Sequence, residues 1–241
     1  MIRTPTAIPH RVTPVFIRHR VNRIADVAAL RPGWGAEVDL RSDPCLPGSL
    51  LLSHDPWTRG DDFEAWLAAF ATGPARGTLV LNTKEDGLES RVLSLLAASG
   101  VSDFFFLDTA LPTLVRFLDS APPTPVRLPD SARPTPIRRP IAEGETRFAV
   151  RVSAHEPPSA SATFRGRARW AWADCFGGEP LPPGVVEEVA RDFSVCLVSP
   201  ELQGRPIADL RRFAGLWPHS SAVCTKDPDA WIAAFGSASA D

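Results

Sequence analysis

The chain has 241 residues, 44% of them apolar and 22% charged, with 26 basic residues against 28 acidic ones. A net charge of −2 excludes the basic excess that marks a nucleic-acid-binding surface. The length supports a sizeable core, no uncharged apolar run reaches the roughly 18–20 residues of a membrane span, and the start Met1-Ile2-Arg3-Thr4-Pro5 lacks an apolar signal-peptide region. These features predict a soluble cytoplasmic protein.

Residues 1–14 hold three prolines and no periodicity, which predicts a loose arm. Beyond them, strand-like and helix-like segments alternate. Val15–His19 reads as a strand, residues 22–31 as helical, and Gly35–Arg41 as a strand of period two that Leu50–Ser53 extends. Asp61–Ala71 places Phe63, Trp66, Leu67 and Phe70 at helical spacing. Gly77–Asn82 is a strand, Asp86–Ser99 a helix closed by Gly100, Val101–Asp108 a strand and Pro112–Leu118 a short helix. A proline-rich stretch follows, repeating Pro123-Thr-Pro-Val-Arg-Leu-Pro129 as Pro134-Thr-Pro-Ile-Arg-Arg-Pro140, and marks an insertion at about 119–146. Its low apolar content predicts an extended or disordered segment.

The alternation resumes with strands at Arg147–Val152, Ala168–Asp174, Phe193–Ser199 and Ala222–Lys226. Helical segments follow at Val185–Arg191, Ile207–Phe213 and Ala230–Phe235. Eight main strands, most followed by a helix, in about 240 residues predict an α/β chain folded as a single-domain (β/α)8 TIM barrel over 15–241. The rival, an open doubly wound sheet, lacks its Gly-x-Gly-x-x-Gly after the first strand. Four cysteines (Cys45, Cys175, Cys196, Cys224) without Cys-x-x-Cys spacing read as reduced thiols, three of them in strand-like runs. Ser153 and Ser199 lack a nucleophile elbow, and five scattered histidines argue against a histidine-held zinc centre.

In such a barrel, chemistry sits at the carboxyl ends of the strands. On Gly35–Arg41 the alternation sends Ala36, Val38 and Leu40 to one face and Glu37, Asp39 and Arg41 to the other. Carboxylates at i and i+2 on a strand can share a hard divalent cation, and the rival reading is a solvated edge-strand face. His19 ends the first strand, and His54-Asp55 follows Leu50–Ser53. A pair of histidines can divide acid and base duties near neutral pH. His10 repeats the His-Arg-Val of His19 but lies in the arm, and His155 and His219 read as surface residues. Trp170 and Trp172 share one face, as core or as a stacking platform.

Together these residues resemble the phosphodiesterase barrels that include glycerophosphodiester phosphodiesterases and sphingomyelinase D. The shared outline is His19-Arg20, Glu37-Val-Asp39, His54-Asp55 and Asn82-Thr-Lys84. Later blocks, Phe105–Asp108, Arg151–Ser153, Trp172–Phe176, Leu197–Leu202 and Ala222–Lys226, are similar to a bacterial subgroup associated with surface-polysaccharide gene clusters. The resemblance implies hydrolysis of a glycerophosphodiester or glycan-linked phosphodiester. It implies His19 and His54 as the acid–base pair and Glu37, Asp39 and Asn82 as holders of Mg²⁺ or Ca²⁺. Phosphate or substrate contacts would come from Arg20, Lys84, Arg151, Trp172, Glu201 and Lys226. Asn82 departs from the family pattern, which has a third carboxylate there. That departure keeps a second expectation in view, a non-catalytic barrel binding a phosphorylated sugar or lipid intermediate. A transferase or lyase using the same histidines is a third.

Overall fold

The structure, a computed structural model, describes residues 13–120, 147–176 and 179–236. The expected N-terminal arm up to residue 12 and most of the proline-rich insertion, residues 121–146, lie outside the described residues. Among the described residues there are ten strands: β1 (Val15–Arg18), β2 (Gly35–Ser42), β3 (Leu50–Leu52), β4 (Asp61–Asp62), β5 (Leu79–Thr83), β6 (Phe104–Leu107), β7 (Ala149–Val152), β8 (Trp170–Ala173), β9 (Ser194–Val198) and β10 (Ala222–Thr225).

Eight of these make a curled parallel sheet, running β6-β5-β2-β1-β10-β9-β8-β7. The curl brings the two ends together, where Phe106 and Phe148 form an isolated parallel bridge and Phe106 N–H donates to the Arg147 carbonyl at 2.8 Å. That seam is held by one bridge in place of a full ladder. β3 and β4 stand outside the parallel set as a small antiparallel extension of β2, with Leu40 opposite Leu52 and Leu51 opposite Asp62. The segment at residues 50–53 is thus a separate strand folded back on β2, because the turn through residues 43–49 reverses the chain.

Helices cover the outer face where the apolar periodicity placed them. Phe63–Thr72 buries Phe63, Trp66, Leu67 and Phe70, and Asp62 caps it by accepting from Ala65 N–H at 2.8 Å. Glu89–Ser99 ends at Gly100, whose left-handed φ of 69° suits a residue without a Cβ. Elsewhere the helical content is thinner than the pattern predicts. Residues 22–31 form only the turn Ile24–Val27, and Ile207–Phe213 is a 3₁₀ helix. Pro206 leads directly into the latter, and neither segment is long enough to develop a full apolar stripe.

Two apolar layers result. The outer layer packs Ala36, Val38 and Leu40 of β2 beneath the helices, as the alternation requires. The inner layer fills the lumen with Ile17, Val80, Phe105, Trp170, Trp172, Cys196 and Cys224. Phe105 stacks on Trp170 with ring centroids 4.6 Å apart. Large aromatics therefore plug the interior below the carboxyl ends of the strands, so access to the polar residues comes from that end. Gly35 permits the close approach at the opposite end, where a Cβ would lie 2.1 Å from the Thr78 carbonyl oxygen. Among the described residues no helix is long and apolar enough to cross a membrane.

Cys45 is exposed, while Cys175, Cys196 and Cys224 are buried free thiols. Burial pushes the Cys175 thiol up to about 11 and raises the other two further. Removal of the central lumen ring by Trp170→Ala should destabilise the fold by about 3–5 kcal/mol, read from urea unfolding. A loss below 1 kcal/mol would show that the lumen is not a packed core.

Candidate active site

Strand β2 carries the centre of the site. Glu37 and Asp39 are 1% and 0% exposed, so each carboxylate needs partners to offset its desolvation. Neighbouring strands supply them. Arg20 N–H donates to Glu37 Oε2 at 2.8 Å, and Asn82 Nδ2 donates to Oε1 at 3.0 Å. Asn22 grips Asp39 twice, its Nδ2 donating to Oδ2 at 2.8 Å and its Oδ1 accepting from the Asp39 N–H at 2.9 Å. The Lys84 ammonium lies 3.1 Å from Asp39 Oδ1, and Arg20 Nε lies 3.7 Å from Oδ2. Asn82 is the register partner of Asp39 across β2 and β5, which explains why Asn82 and Lys84 rise beside the carboxylates.

Arg20 adopts a φ of 53°, a left-handed conformation uncommon for a residue with a Cβ. Its N–H points at Glu37 in that conformation, so the backbone at the end of β1 is bent toward the carboxylate. Burial and the adjacent Asp39 raise the Glu37 carboxyl to about 7. His19 Nε2 stands 3.8 Å from Glu37 Oε2, and its Nδ1 is buried without a hydrogen-bond partner. Burial, reinforced by Arg20, lowers the His19 pKa to about 3, which keeps the imidazole neutral at physiological pH.

His54 lies beyond β3 with its ring partly open to solvent. Its Nδ1 is 2.8 Å from Asp55 Oδ1, and the hydrogen bond from His54 holds Asp55 below the usual carboxylate range. An ionised carboxylate can only accept, so the Nδ1 position carries a proton. The loop is anchored by Arg41, which donates to the His54 carbonyl at 2.9 Å and pairs with Glu85.

Two buried oxygens in the central group are sparsely partnered: Asn82 Oδ1 has no hydrogen-bond donor, and Asp39 Oδ1 has only the Lys84 ammonium at 3.1 Å. Sparsely partnered carboxylate and amide oxygens on adjacent strands suit a hard divalent cation, with Glu37 beside them. The donor set of two carboxylates and one amide therefore fits such an ion. It does so with less negative charge than three carboxylates would supply. Among the described residues, no group of three or more His, Cys, Asp and Glu side chains forms a metal cage by itself.

The remaining sequence-selected residues occupy other parts of the rim. Arg151 is engaged by Asp108 and Asp174, lies 3.8 Å from Glu156, and sits over the Phe176 ring at 5.0 Å. Gln203 Nε2 donates to Asp174 at 2.7 Å, completing a cross-brace from β6 to β9. Glu201 accepts from Thr225 Oγ1 at 2.7 Å and Lys226 N–H at 2.8 Å, and from the Ser199 hydroxyl. It thereby ties the ends of β9 and β10 together. Trp172 lies inside the lumen, 5% exposed. Lys226 reaches the centre electrostatically, as one of the cations that depress His19. The structure thus brings together His19, Arg20, Glu37, Asp39, Asn82 and Lys84, and sets Arg151, Trp172 and Glu201 in separate networks. Asn22 and Arg41 went unassigned in the sequence reading. Asn22 three residues after His19, and Arg41 on the Glu37–Asp39 face, were the available signals.

The sequence matches no protein-family model and no curated protein. Solved structures do match the fold. A glycerophosphodiester phosphodiesterase from Agrobacterium tumefaciens superposes with a TM-score of 0.62 at 15% identity, covering 92% of this chain and 99% of that one. A phosphodiesterase from Oleispira antarctica, in complex with its product sn-glycerol-3-phosphate, superposes with a TM-score of 0.59 at 13% identity, covering 93% and 98%. These neighbours are TIM barrels, and the likeness is one of fold.

If Arg151 is the strut its partners make it, Arg151→Gln should destabilise the protein by about 3–5 kcal/mol, because the buried Asp174 loses its counter-charge. Urea unfolding reads this, and unchanged stability would return Arg151 to the pool of free phosphate-binding cations.

Proposed function

We propose that the chain is a phosphodiesterase-type hydrolase, a (β/α)8 barrel that cleaves a phosphodiester of the glycerophosphodiester class by His19/His54 acid–base catalysis. The Phe106–Phe148 bridge supports reading the curled sheet as that barrel. The observation that carries the functional reading is the clustering of His19, the buried Glu37 and Asp39 carboxylates and Lys84 at the carboxyl ends of neighbouring strands.

The neutral His19 withdraws the proton from the attacking water. His54, held through Nδ1 by Asp55, acts in its imidazolium form, giving the Nε2 proton to the departing alkoxide and becoming neutral. Lys84 and Arg20 place positive charge near the phosphoryl oxygens. Glu37, Asp39 and Asn82 would hold Mg²⁺ or Ca²⁺, which neutralises phosphate charge and stabilises the transition state. The similarity of the fold to glycerophosphodiester phosphodiesterases supports this reading.

The direct test is release of p-nitrophenol from bis-p-nitrophenyl phosphate with Mg²⁺, Ca²⁺, Mn²⁺ or EDTA. EDTA-sensitive turnover is expected. His19→Ala and His54→Ala should each lower kcat by about 10²–10⁴-fold, with far-UV circular dichroism confirming that both remain folded. Full turnover in both variants would overturn the mechanism. Phosphate-ester binding without any turnover would favour the non-catalytic barrel, for which Asn82 is the motive.

Asn82→Asp should tighten Mg²⁺ or Ca²⁺ binding by about tenfold or more, since an added carboxylate supplies formal charge to a hard cation. Isothermal titration calorimetry of the metal alone measures this. Equal affinity in wild type and variant would remove residue 82 from the ligand set.

A further inference from the structure

We propose that Asn22 is a positioning residue that limits Asp39 to one ligand oxygen, so that the cation site between β2 and β5 prefers Mg²⁺ to Ca²⁺. This rests on the phosphodiesterase reading above, which leaves the ion open, and deepens it by naming the residue that selects between the two.

The local chain path puts Asn22 in place. Arg20 turns the backbone after β1 with its φ of 53°, and the Val21 N–H then donates to the Glu37 carbonyl at 2.9 Å. The next side chain, Asn22, lies against Asp39. Its Oδ1 accepts from the Asp39 N–H at 2.9 Å, and its Nδ2 donates to Asp39 Oδ2 at 2.8 Å. Chemistry fixes the orientation of this amide. Reversed, it would set an NH₂ against an N–H, and an oxygen against a carboxylate that can only accept.

The two oxygens of Asp39 are thereby made unequal. Oδ2 receives the Asn22 donor and has Arg20 Nε at 3.7 Å. Oδ1 meets only the Lys84 ammonium, at 3.1 Å, and keeps a lone pair open. The backbone beneath is pinned as well, since the Asp39 carbonyl accepts from the Ser53 N–H at 3.0 Å. Asn22 therefore acts on a carboxylate whose base is held from both sides. Independently of Asn22, the register partner Asn82 is only 8% exposed, and its Oδ1 has no hydrogen-bond partner. That buried orphan oxygen points to a cation between the strands.

A single available oxygen on Asp39 suits Mg²⁺ better than Ca²⁺. Mg²⁺ keeps a strict octahedral shell with several waters and needs only one or two carboxylates. Ca²⁺ takes a looser shell of roughly six to eight oxygens, to which carboxylates can contribute both of theirs. At Asp39 the second oxygen is spent on Asn22, so chelation costs that hydrogen bond. Glu37 is similarly committed, with Oε1 taken by Asn82 Nδ2 and Oε2 by the Arg20 N–H.

Isothermal titration of MgCl₂ and of CaCl₂ alone into the full chain tests this without substrate. The wild type should bind Mg²⁺ at least as tightly as Ca²⁺. In Asn22→Ala the Mg²⁺ affinity should fall about 10–100-fold, the usual cost of losing the partner of a metal ligand. Ca²⁺ should lose less, because it can take the freed Oδ2, so the Mg²⁺-to-Ca²⁺ affinity ratio should drop about tenfold. Asn22→Ser, which retains one hydrogen-bonding group, should shift the ratio in the same direction and guards against an alanine variant that does not fold. A purely structural role for Asn22 would lower the thermal melt and leave the ratio alone.

An unchanged ratio in a folded variant would overturn the proposal. So would tighter binding of Ca²⁺ than of Mg²⁺ by the wild type, or no binding of either ion, and neither result needs a variant. The bis-p-nitrophenyl phosphate assay separates the two readings. Wild-type turnover with an unchanged ratio defeats the role of Asn22 alone, and a shifted ratio without wild-type turnover defeats the hydrolase alone.

Discussion

Two carboxylates buried side by side on one strand set the terms for the rest of this molecule. Glu37 and Asp39 are almost wholly removed from water, and like charges so placed repel one another. Their retention demands a surrounding frame of donors and cations, and that frame comes from both neighbouring strands. β1 contributes the Arg20 N–H and leads into Asn22, while β5 contributes Asn82 and Lys84. The left-handed bend at Arg20 is part of the same solution, since it aims an N–H at a charge that would otherwise be unmet. Loops, normally the most mobile part of a fold, are here tied to the strands beneath them.

The other half of the rim solves a related problem with a different outcome. Asp174 is buried too, and burial raises its carboxyl above the ordinary range despite the adjacent Arg151. Around it, however, the cation and its acceptors consume one another. Arg151 meets three carboxylates, and Glu201 meets a hydroxyl, a second hydroxyl and a backbone N–H. Networks satisfied in this way stiffen a rim. The half near β1, β2 and β5 retains two unpartnered atoms among the described residues, His19 Nδ1 and Asn82 Oδ1, and only the Lys84 ammonium meets Asp39 Oδ1. That asymmetry gathers the uncommitted polar atoms on one side of the sheet's carboxyl end, even though polar residues surround all of it.

The sequence carried the architecture well because the decisive signals were local. The period-two run at 35–41 separates the outer apolar layer from the carboxylates, and the same separation holds in the folded sheet. What it could not carry was the distinction between a polar residue that is available and one that is spent. Arg151, Glu201 and Lys226 look alike as charged residues at strand ends. Only the fold reveals that Arg151 and Glu201 face partners contributed by strands far away in sequence. Trp172 illustrates the same limit, because alternation gives its face but not whether that face looks into solvent or into a plugged lumen. The short helix at 24–27 and the 3₁₀ segment at 207–213 depart from propensity for a simpler reason. Neither has enough turns for local hydrogen bonding to outweigh its connections.

The substitution of an amide for an acid at residue 82 has a physical reading within this frame. A third carboxylate at that position would face Glu37, whose pKa is already raised by burial and by Asp39. Asn82 instead donates to Glu37 while leaving its own oxygen unpartnered, so it relieves repulsion and retains a ligand atom. Less charge at the centre would mean a weaker hold on any cation bound there. A site with a diminished electrostatic grip gains most from binding surface elsewhere on its substrate.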